Sequence, residues 1–328
     1  MLSPSFAADT QGGMMPLRVA RKTLIAGDIC LFELVHPDSA RLPAFTAGAH
    51  VTVLTPNGLT RRYSLCNAPG EMHRYQFAVK RDAAGQGGSM EMTDRVQEGD
   101  LIPTTAPINH FALDPGAASY LLIGGGIGIT PLLAMVRELD ARAARFQLLY
   151  LTRTLESTAF LDVLQQPGLA ASLVLHHDQG DPAQALDLGP WLSQPAAGTH
   201  VYCCGPRGLM QAVREQTRHW PSGSVTFEDF GSAAEIATST ADRAFAVRLV
   251  RSGRLVAVDS GVSILEALRR EQIAVPSSCE SGTCGSCRTG LVSGVADHRD
   301  YVLDEQQHSS EIMICVSRAV SPLLELDL

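Results

Sequence analysis

Four cysteines near the C-terminus constrain the fold more than any other feature of the sequence. Cys279, Cys284 and Cys287 are spaced as C-x4-C-x2-C, and twenty-seven residues separate Cys287 from Cys315. Four thiolates with this spacing hold a plant-type [2Fe–2S] cluster. The residues between the first three cysteines are small, so backbone N–H groups can approach the sulfurs and raise the reduction potential. The spacing therefore predicts an iron–sulfur site.

Two other uses of cysteine fit this pattern less well. A structural zinc site usually shows two C-x2-C pairs or Cys/His pairs, and only Cys284 and Cys287 have that spacing. A disulfide framework requires an oxidising compartment. Residues 1–15 lack the basic and apolar segments of a secretory signal, and we expect them to form a disordered tail. The eight cysteines therefore indicate a reducing, cytoplasmic location.

Length and charge exclude several classes of protein. A chain of 328 residues usually contains two or three domains. Hydrophobic residues make up 45% of it, but no run of about eighteen apolar residues is present to span a membrane. The net charge of −8 argues against a nucleic-acid surface and against a basic patch that binds membranes. A docking face for a protein partner is compatible with these totals.

Residues 16–115 contain short β-like runs separated by Gly, Pro, Asn and Asp. Five runs are candidate strands: Leu17–Ile25, Ile29–His36, His50–Leu54, Leu59–Cys66 and Arg74–Arg81. The tripeptide Pro56-Asn57-Gly58 indicates a hairpin turn between two of them. Several short antiparallel strands in a region of this length predict a small β-barrel, with one helix near Ser89–Val96.

Two stretches of this region carry groups suited to binding a ligand. Arg61 and Tyr63 share one face at the end of a strand, and Ser64 points to the other face. Lys80 lies at the end of another strand, before the glycine-rich turn Gly87-Gly88-Ser89 that opens the helix. Free N–H groups at a helix start, together with nearby cations, can form an anion site. A solvated strand edge and a surface loop explain the same residues, and composition does not decide between the two readings.

Residues 116–231 alternate between strands and helices, which predicts a parallel sheet with covered faces. The strand Tyr120–Ile123 leads into a glycine-rich run ending at Pro131, and a helix is expected over Pro131–Arg142. A doubly wound sheet binds ligands at such a point, where glycines let a pyrophosphate approach the backbone. A second motif, Cys204-Gly205-Pro206, follows a strand expected at His200–Cys203. The glycine run alone also suits a plain tight turn.

The motifs together resemble those of the ferredoxin–NADP reductase superfamily. Arg61-Arg62-Tyr63-Ser64 is similar to its Arg-x-Tyr-Ser flavin motif, and the glycine run followed by Cys204-Gly205-Pro206 resembles its paired nicotinamide motif. Residues 62–67, 78–82, 87–89 and the cysteine loop look like the phthalate dioxygenase reductase family, and the chain also resembles vanillate O-demethylase reductase subunits.

The resemblance implies roles for residues of the flavin motif. It implies FMN as the flavin, with Tyr63 beside the ring. Arg61 and the turn Gly87-Gly88-Ser89 would hold the phosphate, and Ser64 and Lys80 complete the predicted cofactor site.

The resemblance also implies roles for the nicotinamide motifs. The pyrophosphate of the nucleotide would be held by Gly124, Gly125, Gly126, Gly128, Thr130 and Pro131. Cys204, Gly205 and Pro206 would border the nicotinamide, and Phe230 would cover the flavin face, so Cys204 and Phe230 are the predicted catalytic positions. The alternative for Phe230 is an ordinary core residue. The family uses NADH, although Arg153 is suitably placed to bind a 2′-phosphate.

The expected fold class is multidomain α+β and α/β. The predicted parts are an antiparallel β-barrel flavin domain (16–115), a parallel α/β nicotinamide domain (116–231), a linker (232–242) and a C-terminal β-grasp plant-type ferredoxin domain (243–328). In the last part we expect a hairpin, Phe245–Leu249 with Leu255–Val258, and a helix over Ser263–Arg270. His298 is predicted to be structural, since four cysteines complete the ligand set.

Three redox sites on one chain predict an electron-transfer enzyme. We expect NADH to deliver electrons through FMN and the [2Fe–2S] cluster to a separate protein, a terminal Rieske-type oxygenase acting in aromatic oxygenation or O-demethylation. The alternatives are a reductase for a diiron hydroxylase or a cytochrome P450, and an electron-carrier module without nicotinamide activity. No nucleic acid or membrane is expected as a partner.

Overall fold

The computed structural model describes residues 13–230 and 242–328. The chain divides into two compact units, Met1–Leu209 and Met210–Leu328. Most of the expected N-terminal tail, and all of the expected linker except Asp242, lie outside the described residues. The boundaries of the three predicted domains stay a prediction.

Six antiparallel strands form the first sheet of the first unit. In chain order they are β1 (Met15–Ala26), β2 (Ile29–Val35), β3 (His50–Leu54), β4 (Thr60–Ser64), β5 (Tyr75–Lys80) and β6 (Leu101–Thr104). They lie in the order β4–β3–β6–β1–β2–β5. The five predicted strands are all present, with ends shifted by a residue or two. Strand β6 was not predicted, because it is short and contains Pro103, which cannot donate a ladder hydrogen bond.

The two edge strands of this sheet meet, which closes it into the predicted barrel. Tyr63 on β4 and Phe77 on β5 stack with ring centroids 4.9 Å apart and ring planes 5° from parallel. A short helical segment follows the barrel's fifth strand, formed by α1 (Gly88–Met90) and a π-helical turn over Glu91–Arg95. It lies where the sequence predicted a helix.

The first unit contributes four parallel strands to a second sheet, which has five strands. They are β7 (Ser119–Gly125), β8 (Phe146–Thr152), β9 (Leu173–His177) and β10 (Thr199–Cys204), in the order β10–β7–β8–β9. The helices that follow its strands are α2 (Ile129–Ala141), α3 (Leu161–Leu164), α4 (Pro167–Ala170), α5 (Gly189–Leu192) and α6 (Arg207–Gln216). The predicted parallel α/β arrangement is confirmed.

Helix α2 supplies much of the hydrophobic core of the first unit. Its apolar face is fully buried, as the sequence period predicted, through Leu132, Leu133, Met135, Val136 and Leu139. The same core includes Ile29, Ala47 and Phe111 from the barrel part of the unit. The barrel and the parallel sheet therefore share one core, which holds the flavin and nicotinamide motifs in a common framework.

The second unit contains a mixed sheet. The described strands of the second unit are β11 (Val225–Glu228), β12 (Phe245–Leu249), β13 (Leu255–Val258), β14 (Arg288–Ser293), β15 (Ala296–Asp297), β16 (Glu311–Met313), β17 (Arg318–Ala319) and β18 (Leu323–Leu326). The sheet order is β13–β12–β18–β14–β16, with β12 parallel to β18, and β15 pairs separately with β17. The antiparallel pairing of β12 with β13 confirms the predicted hairpin.

A helix packs on this mixed sheet, as in a β-grasp fold. Helix α7 (Ile264–Arg270) begins at Ser263, whose Oγ accepts a hydrogen bond of 3.1 Å from the N–H of Glu266. Ile264, Leu265 and Leu268 are buried in the core of the unit. The helix lies where the sequence predicted one, within Ser263–Arg270.

Asp242 is fixed within the second unit, although the sequence assigned it to the linker. Its carboxylate lies 2.6 Å from a guanidinium nitrogen of Arg299 and 3.4 Å from Arg318.

Among residues 13–230 and 242–328, no helix is long and apolar enough to cross a membrane.

Candidate cofactor sites

The fold brings the four predicted cluster ligands together. Cys279 and Cys287 are buried and Cys284 is half-buried, all on the loop that follows α7. Cys315 is fully buried two residues after β16, so strand β16 positions the fourth ligand beside the loop. The thiols contact one another as two hydrogen-bonded pairs, Cys279 with Cys284 and Cys287 with Cys315.

Contact between the thiols shifts their pKa values in opposite directions within each pair. A hydrogen bond from the Cys284 thiol lowers the pKa of Cys279, and one from the Cys315 thiol lowers the pKa of Cys287. The same hydrogen bonds and burial raise the pKa of Cys284 and Cys315. Thiolate is the form that ligates iron, so a bound cluster would deprotonate all four thiols.

The backbone of the loop fits an iron–sulfur cluster. The N–H of Ser281 donates to Sγ of Cys279 and the N–H of Cys279 donates to Sγ of Cys284, each over 3.4 Å. Gly282 adopts a φ of +77°, and a Cβ there would lie 2.7 Å from Cγ2 of Val316. The tight turn therefore requires glycine, and N–H groups approach the sulfurs as the spacing predicted.

In the barrel, the cationic side chain of Arg61 lies against the glycine turn Gly87-Gly88-Ser89. A Cβ on Gly88 would lie 2.6 Å from Nε of Arg61, so the guanidinium rests directly on the turn. Nη2 of Arg61 donates to Oε1 of Gln86 over 3.2 Å. Ser89 Oγ accepts a hydrogen bond of 3.1 Å from the N–H of Asp82, which holds the turn in place. A cation beside backbone N–H groups suits the phosphate of FMN.

The hydroxyl of Tyr63 is buried and has no hydrogen-bond partner. Its ring is held parallel to Phe77, and burial raises the pKa of the phenol, so the hydroxyl keeps its proton. A buried polar atom without a partner is costly, and a hydrogen bond to a bound flavin would remove that cost. Ser64 is buried beside it, whereas Lys80 is exposed at the end of β5.

Strand pairing brings the two nicotinamide motifs side by side. In the parallel pair β7–β10, Cys204 lies opposite Gly124, so both motifs begin at the carboxyl ends of neighbouring strands. A Cβ on Gly128 would lie 2.2 Å from the carbonyl oxygen of Cys204, and one on Gly125 would lie 2.5 Å from Cδ of Pro206. A Cβ on Gly205 would lie 2.9 Å from Gly125. Glycine is therefore required for this close approach.

The motif residues differ in their access to a ligand. Gly126 has a φ of +53°, and a Cβ there would meet no atom within 4 Å, so the turn is open at this point. Thr130 and Pro131 are buried in the first turn of α2, where Thr130 Oγ1 donates to the carbonyl of Ile127 over 3.1 Å. Cys204 is fully buried as well. Their predicted roles at the nucleotide stay predictions.

Two aromatic residues lie at the end of β11. Phe227 is buried and its ring packs against Tyr301, with centroids 5.0 Å apart. Phe230 is 44% exposed. The core alternative for Phe230 is therefore excluded, and its predicted role over the flavin stays a prediction.

Comparison with known proteins identifies the family. Residues 247–320 match the 2Fe-2S iron-sulfur cluster binding domain family. The chain is 50% identical to the phthalate dioxygenase reductase of Burkholderia cepacia over 97% of this chain and 98% of that protein. The chain belongs to the phthalate dioxygenase reductase family. A solved phthalate dioxygenase reductase structure, described as modular for electron transfer from pyridine nucleotides to [2Fe-2S], matches with a TM-score of 0.70 and 50% identity over 96% of this chain and 98% of that one.

A second solved structure relates this reductase family to a larger protein. An intact type IV self-sufficient cytochrome P450 monooxygenase matches 96% of this chain but 41% of its own chain, with a TM-score of 0.73 and 35% identity. This chain therefore resembles one part of a longer polypeptide.

Sequence reasoning missed several residues that shape the sites of this reductase family member. Phe77 stacks on Tyr63, and Gln86 holds Arg61. Val316 packs against the cluster loop at Gly282. Phe77 and Gln86 lie far from their partners in sequence, and no motif marked them.

Replacing Arg61 with glutamine is expected to weaken FMN binding by roughly 10- to 100-fold, because a charge-assisted hydrogen bond contributes about 1.5–3 kcal/mol. Fluorescence titration of the flavin-free protein with FMN measures this. Arg62→Gln is the matched control, since Arg62 points to the opposite face of β4. Equal affinities for the two variants would remove Arg61 from the phosphate site.

Proposed function

We propose that this protein is the NADH-dependent reductase component of an oxygenase system. It takes electrons from NADH and passes them through FMN and a [2Fe–2S] cluster to a terminal oxygenase, which is a separate protein. The proposal rests on one chain that contains paired nicotinamide motifs, a buried tyrosine hydroxyl without a partner in the flavin motif, and four converging cysteines. A cytoplasmic location follows from the reduced cysteines that the cluster requires.

The three bound groups together supply the conversion of a two-electron hydride into single electrons. The protein binds and orients them. Arg61 and the Gly87–Ser89 turn would hold the phosphate end of the flavin, while the buried Tyr63 hydroxyl would be available as a hydrogen-bond donor to it. Gly125, Gly128 and Gly205 let the two loops pack together, and Gly126, where an added Cβ would meet no atom within 4 Å, would leave room for the nucleotide pyrophosphate at the strand ends.

Two side chains border the predicted site of hydride transfer. Phe230 is exposed at the end of β11, and by similarity to the family it would cover the flavin face. Cys204 would border the nicotinamide through its backbone, because its side chain is buried. The chain's contribution is therefore orientation and exclusion of water.

The terminal acceptor is a Rieske-type oxygenase that acts on aromatic or related substrates. A cytochrome P450 is the second candidate, since a self-sufficient P450 monooxygenase contains a region similar to 96% of this chain. The two candidate acceptors are distinguished by product formation. The purified reductase and NADH are mixed with each class of oxygenase and its substrate, and the product is measured. Coupled product formation with the Rieske enzyme supports the proposal. If neither class of oxygenase forms product while NADH still reduces ferricyanide, the proposal is contradicted.

We expect NADH to be preferred over NADPH, which tests the nucleotide assignment. Arg153 follows β8 directly, and Glu156 lies in the same loop, so a cation and a carboxylate are both near the predicted 2′ position. The measurement is kcat/KM for both nucleotides with ferricyanide as acceptor. Higher kcat/KM with NADPH would overturn the assignment, and Arg153→Ala should then restore the preference for NADH, because the 2′-phosphate loses its cation.

A further inference from the structure

The second unit contains both the cysteine loop (residues 279–287) and the strand that leads to Phe230. This unit begins at Met210, so it includes most of α6 and all of β11 together with the four predicted cluster ligands. Phe230, the residue predicted to cover the flavin, follows the last residue of β11 by two positions. Contacts between the cysteine loop and β11 can therefore influence the transfer of electrons from the flavin to the cluster.

A turn formed by residues 300–304 lies against the cysteine loop. A Cβ on Gly282 would lie 3.1 Å from Cα of Asp300, and one on Gly285 would lie 3.6 Å from Cγ1 of Val302. The N–H of Tyr301 donates to the carbonyl oxygen of Gly282 over 2.9 Å. Because the two glycines lie on either side of one cluster ligand, the turn contacts the loop both before and after that ligand.

Hydrogen bonds and burial hold the turn in one conformation. Oδ2 of Asp300 accepts from the N–H groups of Val302 and Leu303, over 3.0 and 2.7 Å. Asp300 is fully buried, and Leu303 belongs to the hydrophobic core of the second unit. The backbone of the intervening Tyr301 is therefore fixed relative to the cysteine loop.

The side chain of Tyr301 contacts α6 and β11. Its ring packs against Phe227 of β11, with centroids 5.0 Å apart and ring planes at 38°. The guanidinium carbon of Arg214, on α6, lies 5.6 Å from the centroid of the tyrosine ring. Nη1 of Arg214 also donates to the backbone carbonyl of Asp300. The backbone of Tyr301 thus binds the cysteine loop, while its ring packs on the strand that ends near Phe230.

We propose that Tyr301 is a positioning residue for electron transfer from the flavin to the cluster. Its two contacts hold the cysteine loop against β11, and this role rests on the function proposed above. The step moves one electron from reduced flavin to the oxidised cluster, while Tyr301 is neither oxidised nor reduced and no bond to it forms or breaks. Electron transfer slows steeply as the two redox groups move apart, so a residue that fixes their separation affects this step and not hydride transfer.

The test compares Tyr301→Ala with Tyr301→Phe in the full-length protein with its flavin and cluster bound. After rapid mixing with NADH, flavin reduction and cluster reduction are followed separately by absorbance. We expect Tyr301→Ala to slow cluster reduction by about 10-fold or more, since small displacements of reacting groups have effects of this size. Flavin reduction should keep its wild-type rate. Tyr301→Phe retains the ring that packs on Phe227 and Arg214, so it should reduce the cluster at the wild-type rate.

Two further measurements distinguish positioning from support of the cluster itself. Iron content and the electron paramagnetic resonance spectrum of the dithionite-reduced protein should be unchanged in Tyr301→Ala, because the variant keeps all four cysteines and the N–H that donates to Gly282. Amide hydrogen exchange should become faster in β11 and in the turn at residues 300–304, because the packing between them is lost.

Arg214 offers a second variant with a matched control on the same segment. Arg214→Gln removes the cation from the tyrosine ring and should also slow cluster reduction. Arg218 is an exposed arginine four residues later, so Arg218→Gln should leave the rate unchanged.

Three outcomes would overturn the inference. They are a wild-type rate of cluster reduction in Tyr301→Ala, equal slowing in Tyr301→Ala and Tyr301→Phe, and loss of iron from Tyr301→Ala, which would make the residue a support of the cluster. Failure of the wild-type protein to reduce its cluster with NADH would instead contradict the proposed function, and the inference with it.

Discussion

Replacing Cys279 with serine is expected to abolish coupled oxygenase turnover while leaving the flavin half of the reaction intact. Serine supplies a hard oxygen in place of a soft thiolate, and the neighbouring Cys284 loses the partner to which its thiol donates. Iron should fall from about two per chain to background, with loss of the visible iron–sulfur bands. Product formation by a cognate oxygenase should fall to background as well.

Ferricyanide separates this effect from a general loss of fold. NADH-driven reduction of ferricyanide should continue at the wild-type rate, since this dye takes electrons directly from flavin. Cys30→Ser is the matched control, because Cys30 is a half-buried cysteine on β2 that belongs to neither thiol pair. Full oxygenase turnover by the Cys279 variant without its iron would show that the cluster is not on the electron path.

Replacing Gly128 with alanine is expected to lower kcat/KM for NADH by about 100-fold or more, because small displacements of a binding loop have effects of this size. The new Cβ would lie 2.2 Å from the carbonyl oxygen of Cys204, a distance that no relaxation of side chains relieves. The two nicotinamide loops must therefore separate. Stopped-flow reduction of the flavin by NADH measures the loss.

Gly208→Ala is the control for the Gly128 variant. A Cβ at Gly208 would meet no atom within 4 Å, and alanine favours the first turn of α6, so kcat/KM should stay unchanged. Flavin and iron contents of both variants, and cluster reduction by dithionite, confirm that the rest of the protein is folded. Wild-type kcat/KM in Gly128→Ala would show that the packing of the glycine run on Cys204 is not needed for nucleotide binding.

The sequence by itself determined the residue types and spacings on which each cofactor site depends. The cysteine spacing predicted the cluster ligands, because a loop of fixed length can present thiolates to iron in few ways. The apolar period predicted the buried face of α2, and short β-like runs predicted five barrel strands. Local signals were sufficient wherever a site is formed by residues that are close together in the chain.

Only the tertiary structure decided which distant groups meet. The stacking of Phe77 on Tyr63 depends on closure of the barrel, and the fit of Gly128 under Cys204 depends on the pairing of β7 with β10. Strand β6 is formed by pairing with β1, despite its proline.

Burial likewise came from the tertiary structure. Phe227 and Phe230 are the same residue type, and only the fold makes one a core residue and the other exposed. The stacking of His298 on His308 is of the same kind, because the chain between them must turn back before the two rings meet. Contacts between residues distant in sequence depend on the packing of the whole unit, which no local pattern contains.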